Sequence, residues 1–337
     1  MRAFVVTGPH RSQVCEVADP VPSPGQVVVD VERVGVCGTD VEFYSGEMAY
    51  LRQGHARYPM RLGHEWSGTV RSVADDVDPA WLGRRTTGDT MLGCGTCRRC
   101  LHGRAHVCED RYEVGIRGGF PGALAEQMAV PVTALHPLPG AVDEVAGALV
   151  EPGGNALRAL RAAAVEPGER VLVLGPGTIG LLVVLFALAR GAEVHILGRS
   201  RQSLHFARGL GVHGAWTASN IPALPFDAVI DASNSPSVPA RALDLVEPGR
   251  RVVYIGLAGR PSKIDTRAMV LKDVTAVGIL GASAGLAGTI EQYAAGLVNP
   301  RSLVAATVTL AQVGDVLAGS RPAGAGDGPK IQVDPRA

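Results

Sequence analysis

A glycine-rich turn between an apolar strand and an apolar helix constrains the fold of this chain more than any other segment. The turn is Gly175-Pro176-Gly177-Thr178-Ile179-Gly180, between a predicted strand at residues 170–174 and a predicted helix over residues 178–190. The first glycine permits a tight turn, the second lets the backbone approach a pyrophosphate, and the third lets the helix pack on the strand. The free amides at the helix N-terminus would face the phosphates. We therefore predict a dinucleotide-binding turn here.

The segments on both sides of this turn alternate between strand and helix. Short apolar runs with strand character recur between residues 170 and 279, and residues 203–210 are predicted to be helical. The predicted strands span residues 170–174, 193–197, 227–231, 251–255 and 274–279. Alternation at this spacing predicts an α/β fold with a doubly wound parallel sheet.

The end of the second of these strands indicates which coenzyme the turn would bind. A site for NAD usually places an acidic side chain there, where it binds the ribose 2′-hydroxyl. Here the position holds Gly198, and Arg199, Ser200 and Arg201 follow. A small residue followed by arginine offers space and a cation for a 2′-phosphate, so we expect NADP(H) in preference to NAD(H). Alternatively, Arg199 and Arg201 only begin a solvated helix.

Four of the six cysteines lie within fifteen residues, as Cys94, Cys97, Cys100 and Cys108. The spacing C-x2-C-x2-C-x7-C lets four thiolates converge on one tetrahedral zinc ion and leaves no open coordination position. The N-terminus lacks the apolar core and cleavage site of a signal peptide, so metal binding is favoured over disulfides. We predict a structural zinc site in a lobe at about residues 93–110. Unconnected surface thiols are the alternative.

Other residues that zinc could bind are scattered, and each is weak evidence by itself. Cys37 lies in a turn after a predicted strand, and His64 and Glu65 precede another one. Glu151, followed by Pro152, would alone indicate only a helix N-terminus. A lone cysteine is usually a small buried residue, and a lone His-Glu pair usually lies at the surface. Only together with the four cysteines and the glycine turn do these residues indicate an open, catalytic metal site.

In this order, and over essentially the whole chain, the motifs resemble those of the zinc-dependent medium-chain dehydrogenase/reductase superfamily. The resemblance rests on Gly35-Val36-Cys37-Gly38-Thr39-Asp40, Gly63-His64-Glu65, the four cysteines, residues 147–152 and the glycine turn. The Glu-Pro pair at residues 151–152 resembles the branch of sorbitol, threonine and glucose dehydrogenases. The resemblance implies a chaperonin-10-like β-rich catalytic domain at residues 1–152 and 285–337. A Rossmann domain would span residues 153–284.

The resemblance also implies how the scattered residues would bind metal. Cys37, His64 and Glu151 would be ligands of a catalytic zinc ion or lie next to it, and Glu65 would be an alternating ligand. Whether Glu65, Glu151 or water completes the coordination shell stays open. The chain would thus hold two zinc ions, one catalytic and one structural.

Further roles follow from the same resemblance. Thr39 would hydrogen-bond the substrate hydroxyl, and Asp40 would hold the ring of His64. Many members have histidine five residues after the first cysteine, where it passes a proton to solvent. This chain has Glu42 there, which either relays the proton or is an exposed helix residue. Lys330 is expected to reach the pyrophosphate of the coenzyme.

The resulting functional prediction is a zinc-dependent alcohol dehydrogenase or ketone reductase. Its substrate would be a polyhydroxylated secondary alcohol, namely a sugar, polyol, cyclitol or amino-alcohol, in a pocket built partly from the polar segment at residues 45–58. One alternative is an alkene or quinone reductase of the same superfamily, and another is a non-catalytic NADPH-binding protein. Retention of Thr39, Cys37, His64 and Glu151 favours the dehydrogenase.

Charge and composition limit the partners of the chain. Its 32 basic and 32 acidic residues give a formal net charge of zero, which supports neither nucleic acid nor a membrane surface as partner. The longest apolar run, near residues 181–189, is too short to span a bilayer. We expect a cytoplasmic protein whose partner is a small-molecule substrate. The resemblance implies a homo-oligomer, either a dimer or a tetramer.

Overall fold

The computed structural model describes residues 1–337. The strands are β1 (Arg2–Gly8), β2 (Arg11–Glu16), β3 (Gln26–Gly35), β4 (Glu65–Val73), β5 (Arg85–Gly88), β6 (Met91–Leu92), β7 (Tyr112–Glu113), β8 (Gln127–Pro131), β9 (Leu135–Pro137), β10 (Arg170–Leu174), β11 (Glu193–Leu197), β12 (Gly214–Trp216), β13 (Phe226–Asp231), β14 (Val246–Tyr254), β15 (Thr275–Gly278), β16 (Val304–Thr309) and β17 (Lys330–Asp334). The α-helices are α1 (Gly38–Ser45), α2 (Ala49–Arg52), α3 (Arg98–Leu101), α4 (Glu144–Gly147), α5 (Val150–Ala163), α6 (Thr178–Ala189), α7 (Arg201–Gly209), α8 (Val238–Leu245), α9 (Thr266–Leu271), α10 (Leu286–Ala294) and α11 (Val313–Leu317). No helix is long and apolar enough to cross a membrane.

The first and last parts of the chain share one sheet. Its strand order is β16-β17-β3-β4-β5-β9, with β8 paired to the other part of β3, and only β16 and β17 run parallel. The valines of β3 are β-branched residues that suit a buried strand, and Val27, Val29 and Val31 lie in the core with Trp66 and Met128. The C-terminal strand β17 pairs with β3, so the end of the chain completes the domain that the N-terminus begins.

The second sheet is parallel throughout, with the order β12-β11-β10-β13-β14-β15. Strand order reverses around β10, which starts the sheet in sequence and lies at its centre. This arrangement is the doubly wound Rossmann topology, and its ligand crevice lies at the carboxyl ends of the strands where the order reverses. The predicted α/β architecture is therefore confirmed, and the strands predicted at residues 170–174 and 193–197 match β10 and β11 residue for residue.

The largest of the three hydrophobic cores does not follow the predicted domain boundaries at residues 152 and 285. The core of the parallel sheet includes Val142 and extends to Leu303, and it contains Leu286 and Ile290 of helix α10. The α10 residue Tyr293 stacks on Phe186 of α6, with ring centroids 6.0 Å apart and planes at 5°. We therefore propose that α10 belongs to the Rossmann domain, although the sequence pattern assigned it to the other one.

The glycine turn after β10 has the geometry that its sequence predicts. Gly175 has a φ of +102°, which side chains with a Cβ rarely adopt. A Cβ on Gly180 would lie only 1.9 Å from the carbonyl oxygen of Gly175. Around Gly177, by contrast, no atom lies within 4 Å of a Cβ position, so this backbone is open to a ligand. Gly175 thus permits the tight turn, Gly180 permits the packing of α6, and Gly177 lets a ligand approach the backbone.

We predict that Gly180→Ala destabilises the protein much more than Gly177→Ala. The methyl group at position 180 would have to push α6 away from the turn, and overpacking of this kind costs about 1–3 kcal/mol or more. At position 177 the φ of −87° suits alanine, and the added methyl group meets no atom. Denaturant unfolding of both variants measures the difference. Equal loss of stability in the two variants would contradict the proposed contact.

Candidate metal and coenzyme sites

The candidate catalytic metal site lies where β3 ends and its antiparallel partner β4 begins. Gly35 of β3 pairs with Glu65 of β4, so Cys37, two residues after Gly35, lies near His64, the residue before β4. The Sγ of Cys37, a ring nitrogen of His64 and a carboxylate oxygen of Glu65 all lie within 4.8 Å of one another. One sulfur, one nitrogen and one oxygen ligand suit zinc. The structure therefore brings together three of the four predicted ligands.

The helix that follows β3 fixes the first of these residues. Cys37 is the N-cap of α1, and its backbone N–H donates to Oδ2 of Asp40 at 2.9 Å. The other carboxylate oxygen of Asp40 accepts from the backbone N–H of Gly63 at 3.3 Å and lies 3.7 Å from Nδ1 of His64. Asp40 thus ties the Cys37 turn to the His64 turn. Its distance from His64 is too long for the predicted hydrogen bond.

The acidic groups at this centre favour a positive charge on His64. Burial opposes protonation of His64, but the carboxylate of Asp40 and the thiol of Cys37 outweigh it and raise the pKa of the ring well above its ordinary value. Nδ1 of His64 is buried and has no hydrogen-bond partner. A proton on this histidine neutralises acidic neighbours in a place where a divalent cation would do so more effectively. The electrostatics therefore fit a metal ion.

Glu65 is held by a buried ion pair with Lys330. The ammonium of Lys330 donates to Oε2 of Glu65 at 2.6 Å and to the carbonyl of Val36 at 2.8 Å. Desolvation opposes the charge on Lys330, but Glu65 and Cys37 outweigh it and raise the pKa of the lysine. A Cβ at position 35 would lie 2.1 Å from Oε2 of Glu65, so Gly35 makes room for the carboxylate.

Lys330 contacts residues of the metal site in this structure, and its predicted contact with the coenzyme pyrophosphate stays a prediction. Its side chain is only 3% exposed, and its ammonium is engaged by Glu65 and Val36. The charge of the lysine is thus already balanced inside the protein by Glu65. The position of Lys330 at the start of β17, beside β3, explains why it lies at the metal site.

Glu151 lies close to this centre but outside its tight cluster. It occupies the first turn of α5, and its Oε1 accepts from the side-chain amide of Asn155 at 3.0 Å. Burial raises the pKa of Glu151 to about 7; His64 acts against the shift, and Glu65 adds to it. The carboxylate is thus near His64 and Glu65 without belonging to the group whose ligand atoms all lie within 4.8 Å. A role through water or after a small movement fits this position.

Thr39 and Glu42 share one face of α1. They are three residues apart in the same helix, and both are half-buried. Burial, with a smaller effect of Glu47, raises the pKa of Glu42. A carboxyl group with a raised pKa exchanges protons more readily near neutral pH. The hydroxyl group of Thr39 and the carboxyl group of Glu42 therefore lie on successive turns of α1, the helix that follows Cys37.

The four clustered cysteines converge on one point. The Sγ atoms of Cys94 and Cys100 are 4.0 Å apart and those of Cys97 and Cys108 are 3.8 Å apart, and no disulfide is present. Tetrahedral zinc, with Zn–S bonds of about 2.3 Å, requires S–S separations of about 3.8 Å. Hydrogen bonds from the Thr96 and Cys97 amides lower the pKa of Cys94 to about 6, whereas desolvation raises that of Cys100 to about 12. All four cysteines would therefore be deprotonated together only if a cation balanced their negative charges.

The candidate coenzyme residues line the carboxyl ends of β10 and β11. A Cβ on Gly198 would lie 2.7 Å from the ring of Pro176, so this position must stay small for the two loops to approach. Arg199 and Arg201 are exposed, and Ser200 caps α7 by accepting from the amide of Ser203 at 3.4 Å. Thr178 and Ile179 begin α6, with their amides at its N-terminus. All the predicted coenzyme residues except Lys330 therefore lie at one edge of the sheet.

Two contacts at the metal site were missed by sequence reasoning. Asn155, four residues after Glu151, lies on the same helix face, and this spacing could have identified it. The contact of Lys330 with Glu65 had no local signal, because 265 residues separate the two. Only the pairing of β17 with β3 brings them together.

Comparison with known protein families agrees with this geometry. Residues 23–140 match the family model described as alcohol dehydrogenase GroES-like domain. Residues 178–298 match the model described as zinc-binding dehydrogenase. The first match covers Cys37, His64 and the four clustered cysteines, and the second begins within the glycine turn.

Individual proteins give the same assignment. The chain is 33% identical over 293 residues to an L-threonine 3-dehydrogenase of Saccharopolyspora erythraea, which covers 83% of this chain and 84% of the relative. It superimposes on the RspB alcohol dehydrogenase of Escherichia coli complexed with NADH, with a TM-score of 0.90, 25% identity and 99% of both chains covered. A zinc-binding dehydrogenase of Sinorhizobium meliloti bound to NADP gives a TM-score of 0.89, 27% identity and the same coverage.

The motifs, the two-domain architecture and these comparisons agree over nearly the full length. This chain belongs to the zinc-dependent medium-chain dehydrogenase/reductase superfamily and is an oxidoreductase that acts on the CH–OH group of its donors.

Proposed function

We propose that this protein transfers hydride reversibly between NADP(H) and a polyhydroxylated secondary alcohol, either a sugar, polyol, cyclitol or amino-alcohol. The observation that carries the proposal is the convergence of Cys37, His64 and Glu65 at the end of β3, beside Thr39. A zinc-independent reductase would not need this ligand set. The S. erythraea relative is named for threonine, an amino-alcohol whose hydroxyl is secondary, and this supports the substrate class.

A zinc ion held by Cys37, His64 and either Glu65 or Glu151 would act as a Lewis acid on the substrate oxygen. Thr39, which is half-buried, would accept a hydrogen bond from the substrate hydroxyl and would give up its own hydroxyl proton as it takes that of the substrate. Glu42, one helical turn further along, would take the proton onward to solvent. The polar segment at residues 45–58, which follows α1, would position the other hydroxyl groups of the substrate.

Lys330 would hold Glu65 in a defined place during this chemistry. Because its ammonium binds Oε2 of Glu65 at 2.6 Å, the carboxylate can join the metal shell only by giving up that ion pair or sharing the oxygen. Lys330 is thus proposed as a positioning residue that regulates how Glu65 alternates with Glu151 or water. The four cysteines Cys94, Cys97, Cys100 and Cys108 would hold the second, structural zinc ion.

For the coenzyme, we propose that Arg199 binds the 2′-phosphate of NADP(H) and that Gly198 leaves space for it. The S. meliloti structure contains NADP, which supports the proposal, whereas the E. coli structure contains NADH. The difference between these two neighbours shows that the fold accommodates both coenzymes. The residues after β11 are therefore the ones that should decide the preference in this chain.

We also propose a homo-oligomer and a cytoplasmic location. Strand β15 is an edge of the parallel sheet with mostly exposed residues, and Val270 and Leu271 beside it are each 78% exposed. An unpaired edge strand with exposed apolar neighbours favours pairing with a second copy. None of the six cysteines forms a disulfide, which is consistent with a reducing compartment.

Metal content tests the two proposed zinc sites. We expect about two zinc ions per chain in the purified protein, and Cys100→Ser should lose one of them. Because structural zinc contributes directly to folding, this variant should melt about 5 °C lower or more, while its remaining folded fraction keeps the hydride-transfer rate. Cys15→Ser, which lies outside both clusters, is the matched control. Normal melting with impaired hydride transfer would contradict the structural role.

The coenzyme preference is tested by Arg199→Asp. Charge-assisted hydrogen bonds are worth about 1.5–3 kcal/mol, so the dissociation constant of NADPH should rise at least about tenfold, while that of NADH changes less than about threefold. Arg267→Asp makes the same charge change at an exposed site on α9 and should alter neither value. Equal weakening of NADPH and NADH by Arg199→Asp would exclude the 2′-phosphate contact.

The positioning role of Lys330 is tested by Lys330→Met. Loss of one partner leaves Glu65 buried without a counter-ion, which costs about 3–5 kcal/mol of unfolding free energy. Adding Glu65→Gln should recover part of this loss, because the uncharged amide tolerates burial better. Lys263→Met, at an exposed lysine, is the control and should be close to neutral. Additive losses in the double variant would mean that the two residues do not act as a pair.

A further inference from the structure

A groove on the first domain lies apart from both candidate metal sites and from the coenzyme turn. It has a volume of about 470 Å³ and is lined by residues of β1, of the segment after β2, and of the loops around residues 56–61 and 116–121. Apolar side chains such as Val5, Met60, Ile116 and Phe120 form most of its wall. Cys37, Thr39 and His64 are not among the lining residues. The volume is in the range typical of small-molecule sites.

Two arginines and no acidic residue line this groove. Arg57 lies exposed at the groove, and Arg61 is partly buried in its wall. The Nε of Arg61 is completely buried and has no hydrogen-bond partner. Burial, with no contribution from any neighbouring charge, lowers the pKa of Arg61 to about 10. The Nε end of the guanidinium is therefore withdrawn from water without a counter-ion inside the protein.

The nearby acidic residues cannot supply that counter-ion. Asp19 and Glu16 flank lining residues of the groove in the sequence, but they pair with the N-terminal ammonium of Met1 at 2.8 Å and 3.4 Å. A buried charge without a partner is costly, and proteins retain such a cost mainly where a ligand later offsets it. The missing partner of Arg61 is thus expected from outside the chain.

We propose that this groove binds a small carboxylate with an apolar body, whose carboxylate pairs with Arg61. A guanidinium presents parallel N–H donors that match a carboxylate, and the apolar wall would cover the rest of the ligand. Arg57 at the rim adds a second cation for the same anion. The site shares only Ala56 and Arg57 with the segment at residues 45–58 that is proposed to contact the alcohol substrate. Arg61 and the apolar wall lie outside that segment, so the carboxylate site does not depend on the proposed dehydrogenase function.

Calorimetric titration of the metal-loaded full-length protein with decanoate tests the proposal. We expect one decanoate per chain, and at least about tenfold weaker binding of decanol, which lacks the charge, and of acetate, which lacks the apolar body. Arg61→Met keeps the apolar stem of the side chain and should weaken decanoate at least about tenfold. Arg71→Met, at an exposed arginine paired with Asp30 outside the groove, should leave the affinity unchanged.

The melting temperature of Arg61→Met distinguishes an unpaired arginine at a binding site from an arginine that only stabilises the fold. Because Arg61 has no internal partner, its replacement should raise the melting temperature of the ligand-free protein while abolishing the stabilisation by decanoate. A lower melting temperature of ligand-free Arg61→Met would overturn the unpaired-charge argument. Equal decanoate affinity in Arg61→Met and the unchanged protein, or equal affinity for decanol and decanoate, would overturn the site itself.

A second copy of the chain is the competing occupant of the groove. Light scattering after size exclusion distinguishes it: if Arg61→Met changes the molar mass without changing decanoate affinity, the groove is a subunit contact and the proposal fails. Should Arg61→Met not fold, Arg57→Met at the exposed rim gives the test, with decanoate about threefold weaker as the expected result. Unchanged affinity in that variant would also overturn the proposal.

Discussion

The candidate metal centre depends on the pairing of β3 with β4 on one side and with β17 on the other. Gly35 lies opposite Glu65 in one pairing and opposite Gln332 in the other. These registers bring Cys37, His64 and Lys330 from three distant parts of the chain to the same place. A slip of one residue would turn the side chains of a strand to the opposite face of the sheet. The register of the strands therefore determines which residues meet at the site. A change that shifts this register would also change the geometry of the metal ligands.

Sequence alone predicted the parts of the fold in which neighbouring residues carry the signal. The strands around Gly175, the turn itself and the four-cysteine lobe each occupy a short continuous segment, and the structure has them where the pattern placed them. For helix α5, the sequence indicated only the N-terminus, at Glu151 and Pro152, and Gly153 and Gly154 interrupt the helical pattern that follows. In the structure, Pro152 lies in the first turn, where proline is tolerated. A Cβ on Gly153 would lie 2.4 Å from the hydroxyl oxygen of Tyr293, so the glycine allows α10 to approach.

The candidate site could be predicted only as a set of residues. Family resemblance identified Cys37, His64, Glu65 and Glu151, but no spacing along the chain shows which of them converge. The structure separates a tight group of three from Glu151, which binds Asn155 instead. The contact of Lys330 with Glu65 could not be predicted for the same physical reason. Its partner is chosen by the strand that pairs with β17, and hydrophobic periodicity does not specify strand partners at long range.

Lys330 and Arg61 show how the charges around a cation change its pKa. Lys330 and Arg61 both lie in the first domain, and burial disfavours the charged form of both. For Lys330 the Glu65 carboxylate more than offsets that effect, so the pKa rises and the ion pair becomes part of the metal site. For Arg61 nothing offsets it, and the pKa falls. The protein thus uses one cation to place a residue of its own, whereas the other has a buried Nε without a partner, which the proposed anion would supply.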